Sequence, residues 1–492
     1  MSRLILSRIK KCSLRASGSK RPADRRWRTG VLVGLLGLGW LPGPGLARDS
    51  RVPGEDQGGR AVVLRLTLAE AIDLALQPDG NARVRLAAQM LRQAEAQSAV
   101  ERASLVPNLD GSVSRQSRTT NLAAMGIQIR VPIPGFQTPG FVGPFDSFDA
   151  RIRATQMIFD LSAIRRFQAT RAGVREAHSQ DDAAHEAVAA QVAEAYVNAS
   201  RSDARWQTAQ ANVELSQALL ELARNQKSAG TGTAIEVTRA EVQLANQRQQ
   251  LLVTNTERRR AYLQLARVIG LELAVPLELA EPLSAASQVT LRSEDQLVQL
   301  ALERRADMQA QKDREERLRL QVSSVKWERL PSVYAFGDYG SLGISPGNSL
   351  PTRAVGVSVN LPLFDGGRRD ARRAEVLSRW EQERIRTQDL KEQIELEVRL
   401  ARDHLVSAEQ QVRVASEGVG LAQQELEQAE RRYRGGVTTS IEVIDAQARL
   451  ERARESRIAA LYQYHLSRIE LGRASGSVRE PIQSLEVQEQ RP

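Results

Sequence analysis

The chain is nearly free of cysteine. Its single thiol, Cys12, lies in a basic leader, so the rest of the sequence offers no disulfide framework and no thiol chemistry. Aromatic residues make up only 4%. Ala, Gln, Arg, Glu and Leu dominate instead, which suits long helices with small residues at their seams better than a thick globular core. The net charge of +10 points away from nucleic acid once it is located. Ten Lys/Arg and one acid, Asp24, fall before Ala47, leaving about +1 for everything after it.

Long apolar runs are also lacking, except at residues 30–46. This run follows the basic leader and ends at Gly45 and Ala47, small residues suited to signal cleavage. Residues 1–47 are therefore expected to be a signal peptide. The alternative, an uncleaved anchor, is opposed by the shortness of the run and by Pro42 and Pro44. No cysteine follows it, so a lipid-anchored mature N-terminus is not expected.

What the sequence has is a repeat. Ile158-Phe159-Asp160 and Leu363-Phe364-Asp365 each close an alternating run and open a very long helical pattern. Gly230 follows Asp160 by 70 residues and Gly436 follows Asp365 by 71. Beyond the glycines the register is kept at an offset of 206. Ile235-Glu236-Val237 matches Ile441-Glu442-Val443, and Arg267 and Gly270 match Arg473 and Gly476. One unit is written twice, over 64–270 and 293–476, with a flexible lead at 48–63, a connector at 271–292 and a tail at 477–492.

Within each unit the expected order is helix, two strands, long helix, turn, return helix. Thr67 and Glu70 form a capping box for a short first helix, and a second helix stops before Pro107. Strands are expected at 109–118 and 148–157, separated by a long exposed loop over 119–147. The second pair is expected near 333–339 and 354–361, after Pro331. Asp160 and Asp365 are placed to cap the long helices, which run to about Ser228 and Arg434. Each is about 100 Å long at 1.5 Å per residue, too long to bury its stripe alone. A return helix from Ala234 to about Val268 and one helix from Asp295 to Arg329 match that length when laid end to end. The last return helix runs from Ser440 to about Ala474.

Four strands suit a lipid-spanning sheet in length, but four cannot close a barrel, and lipid does not tolerate open edges. Either the sheet lies in water or several chains close one barrel together.

Three motifs, in this order and within this duplicated layout, carry a resemblance. They are Leu68-x-Glu70-Ala71-Ile72-x-x-Ala75-Leu76, Pro362-Leu363-Phe364-Asp365-Gly366-Gly367, and Arg432-Tyr433-x-Gly435-Gly436 with Ile441-Glu442-Val443-Ile444-x-Ala446. Over roughly residues 64–476 the sequence resembles the TolC-like outer membrane efflux family. The resemblance implies an α+β membrane protein. Long α-helical coiled coils form a periplasmic tunnel, and each chain of a homotrimer gives four strands to a 12-stranded transmembrane β-barrel in outer-membrane lipid. It implies a passive exit duct of a tripartite efflux or type I secretion system, working with a periplasmic adaptor protein and an inner-membrane efflux pump or ABC exporter. No catalytic residue, cofactor or metal is expected.

The resemblance also places sites. The hairpin tips, Ala229, Gly230, Thr231 and Gly435, Gly436, Val437, would meet the adaptor, and Pro107, Asp160, Pro331 and Asp365 mark the helix–strand junctions. Glu427, with its repeat partner Glu221, matches the acidic ring that narrows the entrance; otherwise both are solvated surface residues. Carboxylates repeated about one axis would favour cations or an open gate. Lys227 stands where the second repeat has the tip tyrosine, so the two tips need not behave alike. His178 and His185 read as surface histidines, and Trp206, Trp327 and Trp380 as packing or interface residues. The competing reading is a periplasmic coiled-coil scaffold or adaptor without a pore, although no lipoyl-like β-rich module is visible. An enzyme finds no supporting motif.

Overall fold

The computed structural model describes residues 63–126, 140–284 and 292–478. The expected signal segment, most of the lead and most of the tail lie outside these residues. In chain order the elements are β1 (Leu64–Leu66), α1 (Leu68–Ala75), α2 (Ala82–Ala103), β2 (Asn108–Asn121), β3 (Phe141–Phe159), α3 (Leu161–Ser228), α4 (Ala234–Ile269) and β4 (Leu277–Leu279). They continue with α5 (Glu294–Arg304), α6 (Ala306–Trp327), β5 (Ser332–Ser345), β6 (Asn348–Asn360), α7 (Arg368–Arg434) and α8 (Ser440–Ser475).

Local chemistry sets the helix ends. Thr67 and Glu70 close a reciprocal capping box at α1. The Asp160 carboxylate accepts from the Ala163 N–H at 3.1 Å and so caps α3. Asp365 does not occupy the equivalent cap. Gly366 and Gly367, with φ of +69° and +84°, insert an extra turn, and Gly367 becomes the cap residue. From two positions upstream, Asp365 still accepts from the Arg369 N–H at 3.1 Å and pairs with its guanidinium at 2.9 Å. The repeat is clearest at the far ends of α4 and α8. Gly270 and Gly476 both take left-handed conformations, with φ of +93° and +87°. A Cβ on Gly270 would lie 2.8 Å from the Gly80 carbonyl oxygen.

Three expectations are corrected. The strands are longer than the ranges expected, at 14, 19, 14 and 13 residues. β2 and β3 therefore extend into the span read as a loop, of which 127–139 lies outside the described residues. The helix expected over 295–329 is two, broken at Arg305, which is extended at φ −63°, ψ 123°. The terminal Gly476 of α8 packs against the Arg304–Arg305 backbone at this break. There the Arg305 guanidinium bonds Asp307 at 2.7 Å and Glu397 of α7 at 2.6 Å. The connector also holds a strand: β4 pairs in parallel with β1, Leu64 opposite Leu277.

The long helices bind by charged ladders as well as small-residue packing. Along α3, α4 lies beside the part nearer the turn, where Asp203 bonds both Arg258 and Tyr262. α6 lies beside the part nearer the strands, where the Glu176 carboxylate accepts from Arg314 at 2.8 Å and Arg317 at 2.7 Å. Two shorter helices thus share one long one. The largest apolar cluster joins α1, the middle of α3, the end of α4 and Val478. Within it Tyr196 donates to the Leu66 carbonyl at 3.1 Å, tying β1 to α3. Burial pushes that hydroxyl well above the usual tyrosine range and keeps it neutral.

β2, β3, β5 and β6 form a separate antiparallel sheet in that order. Its register sorts the side chains. Leu109 and Val113, Ala150, Ile152 and Ala154, Val333, Ala335 and Tyr339, and Val355, Val357 and Val359 share one face. Asp110, Asp149, Arg151, Arg153 and Asp338 lie on the other.

Glu176 has a buried side chain between two guanidinium groups, whereas Glu241 is an exposed partner of Arg224. Glu176→Ala is expected to cost about 2–3 kcal/mol in unfolding of the detergent-purified protein. Glu241→Ala should cost less than about 1 kcal/mol. Equal losses in the two variants would contradict the α3–α6 ladder.

Candidate functional site

Two regions of the fold can act on a passing solute: the turn ends of the helical hairpins and the four-stranded sheet. Both tips are built alike. Gly230 and Gly436 take φ of +76° and +71°, and Thr231 N–H and Val437 N–H return to the Gln226 and Arg432 carbonyls at 3.0 and 2.9 Å. Ala229 and Gly435 occupy the C-cap positions of α3 and α7. The tips also meet, because Gln226 Nε2 donates to the Tyr433 carbonyl at 3.3 Å. That contact levels the ends of α3 and α7.

Beyond the glycines the tips diverge. In the first, Glu236 turns back on its own helix start and accepts from the Thr233 N–H at 2.9 Å. In the second, its repeat partner Glu442 bonds Thr438 and reaches Arg432 on the opposite arm at 3.3 Å. Sequence reasoning aligned this pair without asking what each carboxylate would bind. Comparing Gln226 with Arg432, 206 positions apart, could have found the difference, since only the second repeat has a cation there.

Tyr433 fills the space between the hairpins. It is buried with Leu426, Val443 and Leu450, and Ser216, Leu219 and Ala223 of α3 line the same small cavity. Its hydroxyl is buried without a hydrogen-bond partner. Burial, then the Glu236 carboxylate, raise its pKa above the ordinary tyrosine value. Lys227, in the equivalent place on α3, is exposed.

Glu427 and Glu221 are both exposed, each seven residues before the last residue of its helix, Arg434 and Ser228. Neither joins an ion pair among the described residues. Pro107 and Pro331 directly precede β2 and β5, Asp160 separates β3 from α3, and Asp365 lies between β6 and α7, two positions before the Gly367 cap. Tyr334 of β5 donates to Asp160 Oδ2 at 3.3 Å, fastening the sheet to the start of α3. His178 and His185 are held apart, bonding the Asp182 carboxylate and the Asp181 carbonyl. Trp206 lies under the Arg258 guanidinium at 4.7 Å, a packing role.

The sheet has the chemistry of a membrane wall. Val355, Val357 and Val359 are 85%, 66% and 64% exposed, and water would penalise such a row. On the opposite face Arg151 bonds Asp149 at 2.6 Å and reaches Asp338 at 3.4 Å. Over the part of the sheet nearer the helices, apolar residues on one face and charges on the other match the alternation of an outer-membrane barrel strand; nearer the far turns the division breaks, with the Arg115–Asp146 pair on the first face and Leu342 opposite Leu350 on the second.

Tyr433→Phe keeps the packing and removes an unmatched hydroxyl, so its stability is expected to stay within about 1 kcal/mol of the parent or to rise. Tyr433→Ala should lose about 3–5 kcal/mol at the tip. Thermal unfolding in detergent checks both, and a large loss in Tyr433→Phe would mean that the hydroxyl has a partner.

Comparison with known proteins agrees with this geometry. The family model described as outer membrane efflux protein matches residues 72–271 and 297–477. The outer membrane protein TolC of Vibrio cholerae is 23% identical over 350 residues, covering 68% of this chain and 78% of that protein. The crystal structure of VceC, an outer membrane protein of Vibrio cholerae, superposes with a TM-score of 0.68 at 20% identity, covering 83% of this chain and 96% of that one. The CmeC outer membrane channel of Campylobacter jejuni gives 0.69 at 18% identity, covering 85% and 88%. The paired helical hairpins, the two-faced sheet and the family match over both repeats make this chain a member of the outer membrane efflux protein family, a channel component of the outer membrane.

Proposed function

We propose that this channel component works as a homotrimeric exit duct. Each chain contributes its four strands to a common 12-stranded barrel, and the helices continue it as a tunnel through the periplasm. The observation that carries the reading is the sheet: near the helices one face is apolar and exposed and the other carries the charges, and the outer edges of β2 and β6 meet no further strand among the described residues. Lipid requires such edges to be closed, and further copies of the same sheet close them.

Cargo is delivered by an inner-membrane pump or ABC exporter through a periplasmic adaptor, which meets the tips at Ala229, Gly230, Thr231, Gly435, Gly436 and Val437. Nothing in the duct supplies energy, so transport through it follows the pump. Glu427 and Glu221 serve as the acidic constriction. Their exposure near the tips and their freedom from ion pairs support this role, because an unpaired carboxylate keeps its field for a passing cation.

The test is recording from the purified protein in a planar bilayer with cations added on the tip side. The parent is expected to conduct and to be blocked by multivalent cations. Glu427→Ala should weaken that block several-fold, and Glu221→Ala less. A conducting variant with unchanged block and unchanged conductance would remove Glu427 from the gate while leaving the duct in place.

A further inference from the structure

The apolar face of the sheet carries one charge with no counterion. Strand register puts Arg353 of β6 opposite Tyr339 of β5, on the same face as Val355, Val357 and Val359. Arg353 is exposed. Among the described residues its side chain takes part in no hydrogen bond or ion pair. Arg115 and Asp146 are the other charged side chains on this face of the paired strands, and they bond each other at 2.9 Å. Arg353 is thereby left as the unmatched cation of the face.

A neighbouring copy brings no carboxylate to it from the adjoining strand. In the barrel proposed above, the strand laid beside β6 is the β2 of the next copy. The residues of β2 on this face are Leu109, Gly111, Val113, Arg115 and Ser117, none of them acidic. Building the sheet does not require the arginine either. Counted from the junction aspartates Asp365 and Asp160, the matching residue of the first repeat is Phe148. The fold therefore accepts an apolar residue where the second repeat has a cation.

Depth narrows what can meet this charge. Val359 and Val333 begin the apolar face beside the helices, and Arg353 lies six residues further along β6 than Val359. At about 3.3 Å per residue and a tilt near 40°, that is about 20 Å along the strand and about 15 Å in height. The apolar band of an outer-membrane barrel is about 25 Å tall. Arg353 thus lies past the middle of the band, in the leaflet remote from the helices, where its stem can lift the guanidinium toward the headgroups. A charge at this depth is costly unless an anion meets it. Tyr339, directly across the strand pair and 66% exposed, has a ring suited to the headgroup level, and its hydroxyl can donate to the same anion.

From this we infer that Arg353, with Tyr339, holds the headgroup phosphate of a phosphorylated lipid in the outer leaflet, one lipid for each chain. Phosphate is the fitting anion because a planar guanidinium meets two of its oxygens at once. A lipid is the fitting carrier because its acyl chains cover the valines beneath Arg353, which a free phosphate ion leaves bare. The inference rests on the barrel proposed above, since there this face meets hydrocarbon.

The test is native mass spectrometry of the full-length protein purified in detergent. It is titrated with lipid A, a bisphosphorylated and acylated disaccharide, with the same lipid after removal of its phosphates, and with inorganic phosphate alone. The parent is expected to bind lipid A at one per chain, about tenfold or more tightly than the dephosphorylated lipid. Arg353→Gln should lose that preference, and Arg353→Lys should keep part of it. Arg153→Gln, which removes a charge from the opposite face, should bind as the parent does. A trimer whose Arg353→Gln variant keeps the preference overturns the lipid site and leaves the duct standing. A parent trimer with no preference between the two lipids overturns it too, and that comparison decides even where a variant fails to assemble. Inorganic phosphate held as tightly as lipid A overturns the lipid as the occupant. A soluble monomer that binds neither lipid overturns the duct and the site together.

Discussion

The backbone N–H and C=O groups along the outer edges of β2 and β6 have no partner strand among the described residues. In hydrocarbon each such group costs several kcal/mol, about as much as a well-packed core residue supplies. Yet the outward face of this sheet is a row of valines and other apolar residues that water does not favour. The two demands conflict for one chain and agree for several. The sheet belongs in lipid, and in lipid its edges must be taken up by other sheets. The long helices follow from the same condition. α3 begins two residues after the end of β3 and α7 eight residues after the end of β6, so each long helix continues from a strand pair. A helix of 68 residues with a narrow buried stripe cannot stand alone, so each binds shorter helices along its length through residues such as Glu176 and Asp203.

Duplication explains why the two hairpins look alike, and divergence explains why they need not act alike. Equivalent carboxylates at Glu236 and Glu442 do different work. One closes its own helix cap, and the other crosses to Arg432. Equivalent tip positions hold an exposed Lys227 and a buried Tyr433. The second hairpin is thereby tied across its own arms and wedged against α3, whereas the first is held mainly by backbone turns. The two hairpin tips therefore present two different surfaces.

Most of the architecture was legible in the sequence because it is periodic. The 3.6-residue pattern and the glycine breaks placed α3, α4, α7 and α8 to within a few residues, and alternation at Val355, Val357 and Val359 identified a strand with one apolar face. What was not legible depended on contacts distant in sequence. β1 and β4 are three residues each and exist only because they pair across more than 200 positions. The break at Arg305 is set by Gly476 and Glu397, which no local window contains. Strand ends are hidden in the sequence because Gly, Ser and Thr near the far turns resemble loop, although inter-strand pairing extends through them. At the tips the positions were legible and the bonds were not. Glu427 and Glu221 could be aligned, but the Arg432–Glu442 pair and the Gln226–Tyr433 contact needed the third dimension.

Whether several copies share one barrel is tested most directly by the native mass of the detergent-extracted protein, taken from separated inner and outer membranes. Three chains in the outer-membrane fraction are the expected result. A single chain released in the soluble periplasm without detergent would contradict it, because the apolar face of the sheet would then never have met lipid and the edges of β2 and β6 would have closed in some other way.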